Sequence, residues 1–91
     1  MFHAISYDIS DDRRRNSVSK LLESYGTRVQ YSVFEFSLNA DQITELMQEL
    51  EAVIDTDQDS IRCYSLCSAC QKNIIRLGGP PIADESTYYV V

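Results

Sequence analysis

A carboxylate closes the first apolar strand that the sequence predicts. In the stretch AISYDI, one face carries Ile5, Tyr7 and Ile9, and the other carries Ala4, Ser6 and Asp8. A carboxylate in an apolar strand has a desolvation cost and needs a metal ion, a cation or water as its partner. Asp8 is therefore a candidate site residue. The alternative is a structural role, in which the strand-end carboxylate caps a nearby backbone amide.

Basic residues gather just after this strand. Five of the eight lie in the first third of the chain, namely Arg13, Arg14, Arg15, Lys20 and Arg28. The net charge of -6 argues against nucleic-acid binding over the whole surface, but a local basic patch remains open. Positive charge in the first turn of a helix opposes the helix dipole, which weakly favours an external partner such as phosphate over a merely solvated turn.

Two further patterns resemble metal sites but lack essential ligands. The segment DTDQDS begins like a calcium loop, but Ser60 and Leu66 stand where such loops have glycine and glutamate, so an acidic turn is the better interpretation. Cys67 and Cys70 have C-x-x-C spacing, but no second pair and no nearby histidine completes a zinc site. The three cysteines are predicted to be reduced thiols.

Hydrophobic periodicity predicts the elements that position these residues. Strands are predicted over residues 2–9, 27–38, 60–67 and 74–78. Ser10 or Asp11 caps a first helix that ends near Gly26, and Asn39 with Gln42 forms a capping box for a second helix. Two helices on one face of a four-stranded sheet form the ferredoxin-like arrangement in outline.

Residue parity predicts which side chains share a face with Asp8. Expected under the helices are Ile5, Tyr7, Ile9, Val29, Tyr31 and Val33. The outer face is then expected to carry Asp8 together with Arg28, Gln30, Ser32 and Phe34. Because helices on one side leave the other side of the sheet bare, face-to-face dimerisation is the economical arrangement.

Length and composition indicate one small domain of an ordinary globular protein. A chain of 91 residues buries only about two-thirds of its unfolded surface, so partners often complete the core. No apolar run is long enough to span a bilayer, and the N-terminus lacks a signal-like segment. A cytoplasmic location is the default expectation, with no membrane partner.

One long segment resembles a known family. YDISDDRRRNSVSKLLESYGTRVQYSVFEFSL is similar to the N-terminal part of the CRISPR-associated protein two family, the small partner of the adaptation integrase. That family begins with an apolar strand ending in Tyr-Asp, has Asp-Asp and Arg at the helix start, and continues with Arg-x-Gln-x-Ser-x-Phe. The likeness is strong over residues 2–38, and the remaining length and strand order agree. Each short motif is weak evidence alone, but the ordered set is specific.

The resemblance implies a ferredoxin-like βαββαβ homodimer with nuclease chemistry. The family's metal-binding and catalytic aspartate falls on Asp8, one copy from each protomer facing across the two-fold axis. Other positions associated with activity fall on Tyr7, Arg15, Arg28 and Phe34. A further basic position of some members is Ser17 here, where Arg13 and Arg14 are candidates to replace its charge. The cofactor implied is Mg²⁺, with Mn²⁺ as a substitute.

The implied substrates are RNA or double-stranded DNA, and the implied partner is the CRISPR integrase, bridged by the dimer on protospacer DNA. Arg13, Arg14, Arg15 and Arg28 are the expected phosphate-binding residues. Two alternatives stay open, a non-catalytic scaffold and a related ferredoxin-like toxin ribonuclease. Residues 1–78 are the expected core and 79–85 a linker. Residues 86–91 are expected to add a strand to the partner's sheet.

Overall fold

The fold is a four-stranded antiparallel sheet covered on one face by two helices. The computed structural model describes residues 1–80. The elements are β1 (Phe2–Asp8), α1 (Asp12–Glu23), β2 (Thr27–Gln30), β3 (Val33–Ser37), α2 (Ala40–Val53), β4 (Ser60–Leu66) and the one-turn α3 (Ser68–Gln71). The strands are arranged in the order β2-β3-β1-β4. The predicted ferredoxin-like βαββαβ order is confirmed.

Local signals account for both long helices. Asp11 caps α1, since its side chain accepts a hydrogen bond from the Arg14 backbone at 2.9 Å. The predicted capping box of α2 is confirmed, because Asn39 and Gln42 exchange side-chain-to-backbone hydrogen bonds of 2.8 and 2.9 Å. No helix among residues 1–80 is long and apolar enough to cross a membrane.

Two strand predictions were wrong. Residues 27–38 form a hairpin instead of one strand, because the chain turns at Tyr31 and Ser32 between β2 and β3. Residues 74–78 pair with no strand within residues 1–80, and Ile75 and Leu77 are exposed there. A strand needs a hydrogen-bonding neighbour as well as an apolar pattern. The predicted strand over residues 86–91, and most of the predicted linker, lie outside the described residues.

The core lies between the sheet and the two helices. From β1 it takes Ile5 and Tyr7, followed by Ile9, all as parity predicted. The parity predictions for residues 29–34 were partly wrong. Tyr31 is 77 % exposed, and Val33 pairs with Ser6 of the outer face. Phe34 and Phe36 fill the core positions of β3 instead.

The two-residue turn and a bulge together explain this change of faces, because Gln30 and Val33 pair across the turn and the bulge lies before them in β2. Arg28 pairs with Phe34 and Gln30 pairs with Val33, so one extra residue of β2 lies between two successive pairs. A bulge inserts one unpaired residue and shifts the alternation of the strand that carries it. Phe34 stands opposite Ile5, and paired residues share a face. Phe34 and Arg28 are therefore on the helix-covered face.

Candidate functional site

Asp8 is the last residue of β1 and lies on the outer face of the sheet. Its side chain is exposed, and within residues 1–80 it accepts no hydrogen bond and forms no ion pair. The desolvation cost expected from an apolar strand is therefore not incurred, because the flanking apolar side chains point to the other face. Nor does the described part of the chain hold a backbone amide that this carboxylate caps. Asp8 is available to bind a ligand.

A shallow polar depression surrounds this carboxylate. It is lined by Ser6, Tyr7, Asp8, Ser32, Ser60, Arg62 and Tyr64. The lining comes from β1, from the hairpin turn and from β4. Ser60 pairs directly with Asp8, and Arg62 pairs with Ser6. The depression therefore joins one carboxylate, several hydroxyl groups and one guanidinium on an open surface.

Tyr7 supports this site from the opposite face. Its ring is buried and stacks on Phe34 with centroids 6.3 Å apart. Its hydroxyl donates to the Tyr31 carbonyl at 3.3 Å, and its backbone N–H donates to the Ser32 carbonyl at 3.1 Å. Tyr7 thus fixes the hairpin turn against β1, next to Asp8. Its side chain does not share the face of the Asp8 carboxylate.

Phe34 and Arg28 were predicted to share the outer face with Asp8, and this prediction was wrong. Phe34 is fully buried, with the Arg28 guanidinium carbon 4.9 Å from its ring centroid. Arg28 donates to the Tyr31 carbonyl at 2.5 Å, and also to Ser19 and Glu23 of α1. The two-residue turn puts Phe34 on the helix-covered face, and the bulge in β2 puts Arg28 there with it. They contribute to the packing beneath the site rather than to its surface.

Arg15 binds the backbone that follows Asp8. Its guanidinium donates to the carbonyls of Ile9 and Ser10 at 3.1 and 3.2 Å, and also to the carboxylate of Asp12. The hydrogen bond to Asp12 raises the pKa of Arg15 above its ordinary value. Arg15 therefore orders the loop between β1 and α1, adjacent to the candidate site.

Arg14 is engaged in a long-range ion pair. Its Nε donates to Asp59 Oδ2 at 2.7 Å and its Nη2 donates to Asp59 Oδ1 at 3.2 Å, the bidentate geometry that arginine favours. The Asp59 side chain is fully buried and also accepts from the Asp55 backbone at 2.9 Å. The hydrogen bond from Arg14 lowers the pKa of Asp59. Arg13 is exposed and has no such partner within residues 1–80.

The structure adds three residues that sequence reasoning did not assign to the site, namely Ser60, Arg62 and Tyr64 of β4. Their alternation along SIRCYSL was visible, and it places them on one face. What the sequence did not show is that β4 lies directly beside β1, in the register that puts Ser60 opposite Asp8. Asp59, predicted only as part of an acidic turn, does lie at that turn and also anchors α1 to the start of β4.

The residues present fit a divalent cation that keeps most of its water. Within residues 1–80, no group of three or more His, Cys, Asp or Glu residues could enclose a metal ion. Mg²⁺ does not need such a cage, because it binds through one or two carboxylates together with water and phosphate oxygens. An exposed, unpartnered carboxylate in a polar depression meets that requirement, and Asp8 is the residue that would hold the ion.

Comparisons with known proteins agree with this architecture. A family model described as CRISPR associated protein Cas2 matches residues 1–74. A relative from Chloroflexus aurantiacus named CRISPR-associated endoribonuclease Cas2 3 is 47% identical over 91 residues, covering 100% of this chain and 98% of the relative. The match extends over nearly the whole of both chains.

Two solved structures are also similar. The crystal structure of Streptococcus pyogenes Cas2 at pH 6.5 has a TM-score of 0.75 and 35% identity over 86% of this chain and 100% of that one. A chain of a partial Cas6-RT-Cas1–Cas2 complex has a TM-score of 0.74 and 34% identity, covering 91% of this chain and 97% of that one. Sequence and fold thus agree over the same residues, and the chain belongs to the CRISPR-associated protein Cas2 family.

Proposed function

We propose that this chain is a Cas2 component of CRISPR adaptation and a metal-dependent endonuclease with Asp8 at its centre. The observation that carries the proposal is the exposed, unpartnered Asp8 carboxylate in a polar depression. A relative 47% identical to this chain is named an endoribonuclease. RNA is therefore the first substrate to test, and double-stranded DNA is the second.

The chemistry assigns Asp8 to hold the cation. When bound, Mg²⁺ would polarise a phosphate oxygen and lower the pKa of a bound water. The residues beneath the site keep Asp8 in place. Tyr7 ties the hairpin turn to β1, and Arg15 holds the carbonyls of Ile9 and Ser10 just beyond the carboxylate. The open depression leaves room for a nucleic-acid backbone.

A homodimer supplies the second half of the proposed site. One carboxylate per chain is a minimal ligand set, and two outer faces set against each other would join the two depressions, each with its Asp8, into one shared cleft at the axis. The two long helices cover only the opposite face of each sheet. A cation between the carboxylates would also offset their repulsion, so metal binding is expected to strengthen the dimer.

The proposed partner is the integrase of the adaptation module. A similar solved chain belongs to a complex whose title includes Cas1 and Cas2. The same observation favours the second candidate function, in which the dimer is a scaffold that bridges integrase subunits on protospacer DNA without cutting it. The two functions use the same fold and differ in whether Asp8 chemistry is needed.

Cleavage by the purified protein tests the catalytic proposal. RNA and duplex DNA are incubated with wild type, Asp8→Asn and the control Asp41→Asn, each with Mg²⁺, with Mn²⁺ or with a chelator. Asp41 is an exposed carboxylate in the first turn of α2, so its variant makes the same chemical change away from the site. Only Asp8→Asn and the chelator are expected to stop cleavage. Because Asp8 is exposed, the free energy of unfolding of Asp8→Asn is expected to lie within about 0.5 kcal/mol of the wild-type value.

Equal cleavage by wild type and Asp8→Asn would contradict the catalytic proposal. Absence of cleavage by both proteins, with normal integrase binding, would support the scaffold instead.

Sedimentation equilibrium tests the dimer separately. Tyr64→Arg introduces a charge on the outer face and is expected to weaken self-association. The control Gln48→Arg introduces the same charge at an exposed position of α2 and is expected to leave self-association unchanged. Equal association of these two variants would refute the proposed dimer face.

A further inference from the structure

Arg62 is the cation of the depression that contains Asp8. It lies on the outer face of β4, where it pairs with Ser6, two register positions from Asp8 and Ser60 and therefore the next pair on the same face. Its side chain is exposed and makes no hydrogen bond or ion pair within residues 1–80. In the proposed dimer this arginine lines the shared cleft beside the unpartnered carboxylate, where it can bind a third group.

The four arginines of α1 and β2 that were expected to bind phosphate do not offer the same arrangement. Arg14 is bound bidentately to the buried Asp59, Arg15 to backbone carbonyls and Asp12, and Arg28 to α1 and the hairpin turn. Their contacts hold the domain together on or near the helix-covered face. Arg13 is free, but it lies on α1 and not in the depression around Asp8.

The strand register puts Arg62 within reach of a group bound at Asp8. Residues on diagonal positions of neighbouring strands are about 7–8 Å apart, with their β-carbons somewhat closer, and an arginine spans that gap. The guanidinium is always charged and presents a planar fork of donors that matches two phosphate oxygens. A divalent ion at Asp8 would offset the charge of that carboxylate, and a guanidinium on the same face would hold a second side of the phosphodiester.

We propose that Arg62 binds the phosphate of the nucleic acid at the Asp8 site. The guanidinium donates two hydrogen bonds to the non-bridging oxygens of a backbone phosphate, while Asp8 holds the divalent ion on the other side of the same group. This inference rests on the proposed function of Asp8. It assigns to β4 a substrate contact that is separate from the predicted group of arginines in α1 and β2.

Binding and cleavage are measured with Arg62→Gln, Arg62→Lys and the control Lys20→Gln. Lys20 is an exposed cation of α1, on the opposite side of the sheet, so its loss changes the net charge equally. Arg62→Gln is expected to lower kcat/KM by about 10- to 100-fold, the effect of losing hydrogen bonds to a charged group. Arg62→Lys is expected to recover part of that loss, since it keeps the charge but loses the fork.

Affinity at several salt concentrations distinguishes a phosphate contact from a structural role. The measurement uses fluorescence anisotropy of labelled RNA and of duplex DNA in an Asp8→Asn background, so that no substrate is consumed. For duplex DNA, Arg62→Gln is expected to reduce the slope of log K against log salt by about 0.9, and for single-stranded RNA by about 0.7. The unfolding temperature of the Arg62→Gln variant is expected to equal that of its Asp8→Asn parent.

An unchanged slope and affinity in Arg62→Gln, equal to those of Lys20→Gln, would overturn the assignment of Arg62. The assignment of Asp8 fails through a different result, namely normal cleavage by Asp8→Asn. Loss of binding together with a lower unfolding temperature in both Arg62 variants would show a structural role and would also overturn the proposal.

Discussion

Truncation of Phe34 separates a buried packing role from a site role for this residue. Resemblance to the family associates Phe34 with activity, whereas the structure buries it completely between Tyr7 and Phe36. The ring centroids are 6.3 Å from Tyr7 and 6.2 Å from Phe36, and the Arg28 guanidinium carbon lies 4.9 Å from the ring. Phe34→Ala would remove the centre of this aromatic cluster and leave a cavity beneath the hairpin.

The size of the effect follows from the buried surface. An aromatic side chain buries about 150 Å² or more, and at about 25 cal/mol per Å² this corresponds to roughly 4 kcal/mol. Phe→Ala substitutions in cores cost about 3–5 kcal/mol, which agrees with that value. A small domain has only about 5–15 kcal/mol of stability, so Phe34→Ala leaves little margin. Phe34→Leu retains most of the apolar volume and is expected to cost clearly less than Phe34→Ala.

Urea unfolding followed by circular dichroism measures these losses, and cleavage is measured on the same samples. We expect activity in Phe34→Leu to follow the folded fraction and to approach wild type where the variant is fully folded. A stable Phe34→Ala protein, within about 1 kcal/mol of wild type but inactive, would refute the packing role and return Phe34 to the site.

Three further predictions follow from contacts elsewhere in the fold. Arg14 lowers the pKa of Asp59, so this pair stabilises the fold above about pH 4 and the contribution is lost as pH falls through the lowered pKa. Asp59→Asn should be less stable than wild type at pH 7 and should lack that acid loss in thermal melts, whereas parallel pH curves would contradict the assignment. Gly26→Ala should lower the unfolding temperature, because a β-carbon there would collide with the backbone and an aromatic ring of β3. An unchanged melting temperature would show that β3 can shift to accommodate the β-carbon without loss of stability. Hydrogen bonds from nearby backbone groups lower the pKa of the exposed Cys67 thiol, while burial raises the pKa of Cys63. Iodoacetamide should therefore alkylate Cys67 at lower pH than Cys63, which peptide mass spectrometry would detect, and identical pH profiles would refute this order.

Local patterns were enough to predict the elements that carry Asp8. Strict alternation in β1 placed Ile5 and Tyr7 inward and Asp8 outward, as the structure has them. The capping box at Asn39 was visible as two side chains at the required spacing. These features depend on residues within one strand or one helical turn, so the sequence contains all the information they need.

Tertiary contacts decided which residues lie beside Asp8. The bulge in β2 and the turn after it moved Phe34 and Arg28 to the helix-covered face, and a single extra residue in a strand is enough to reverse a parity prediction. Arg62 joined the site because β4 pairs with β1 in one particular register. Pairing between strands more than 50 residues apart is selected by the packing of the whole core, which no local period encodes. The sequence by itself therefore determined the family, the order of the main helices and the outward carboxylate, while the fold determined which cation lies in the same depression.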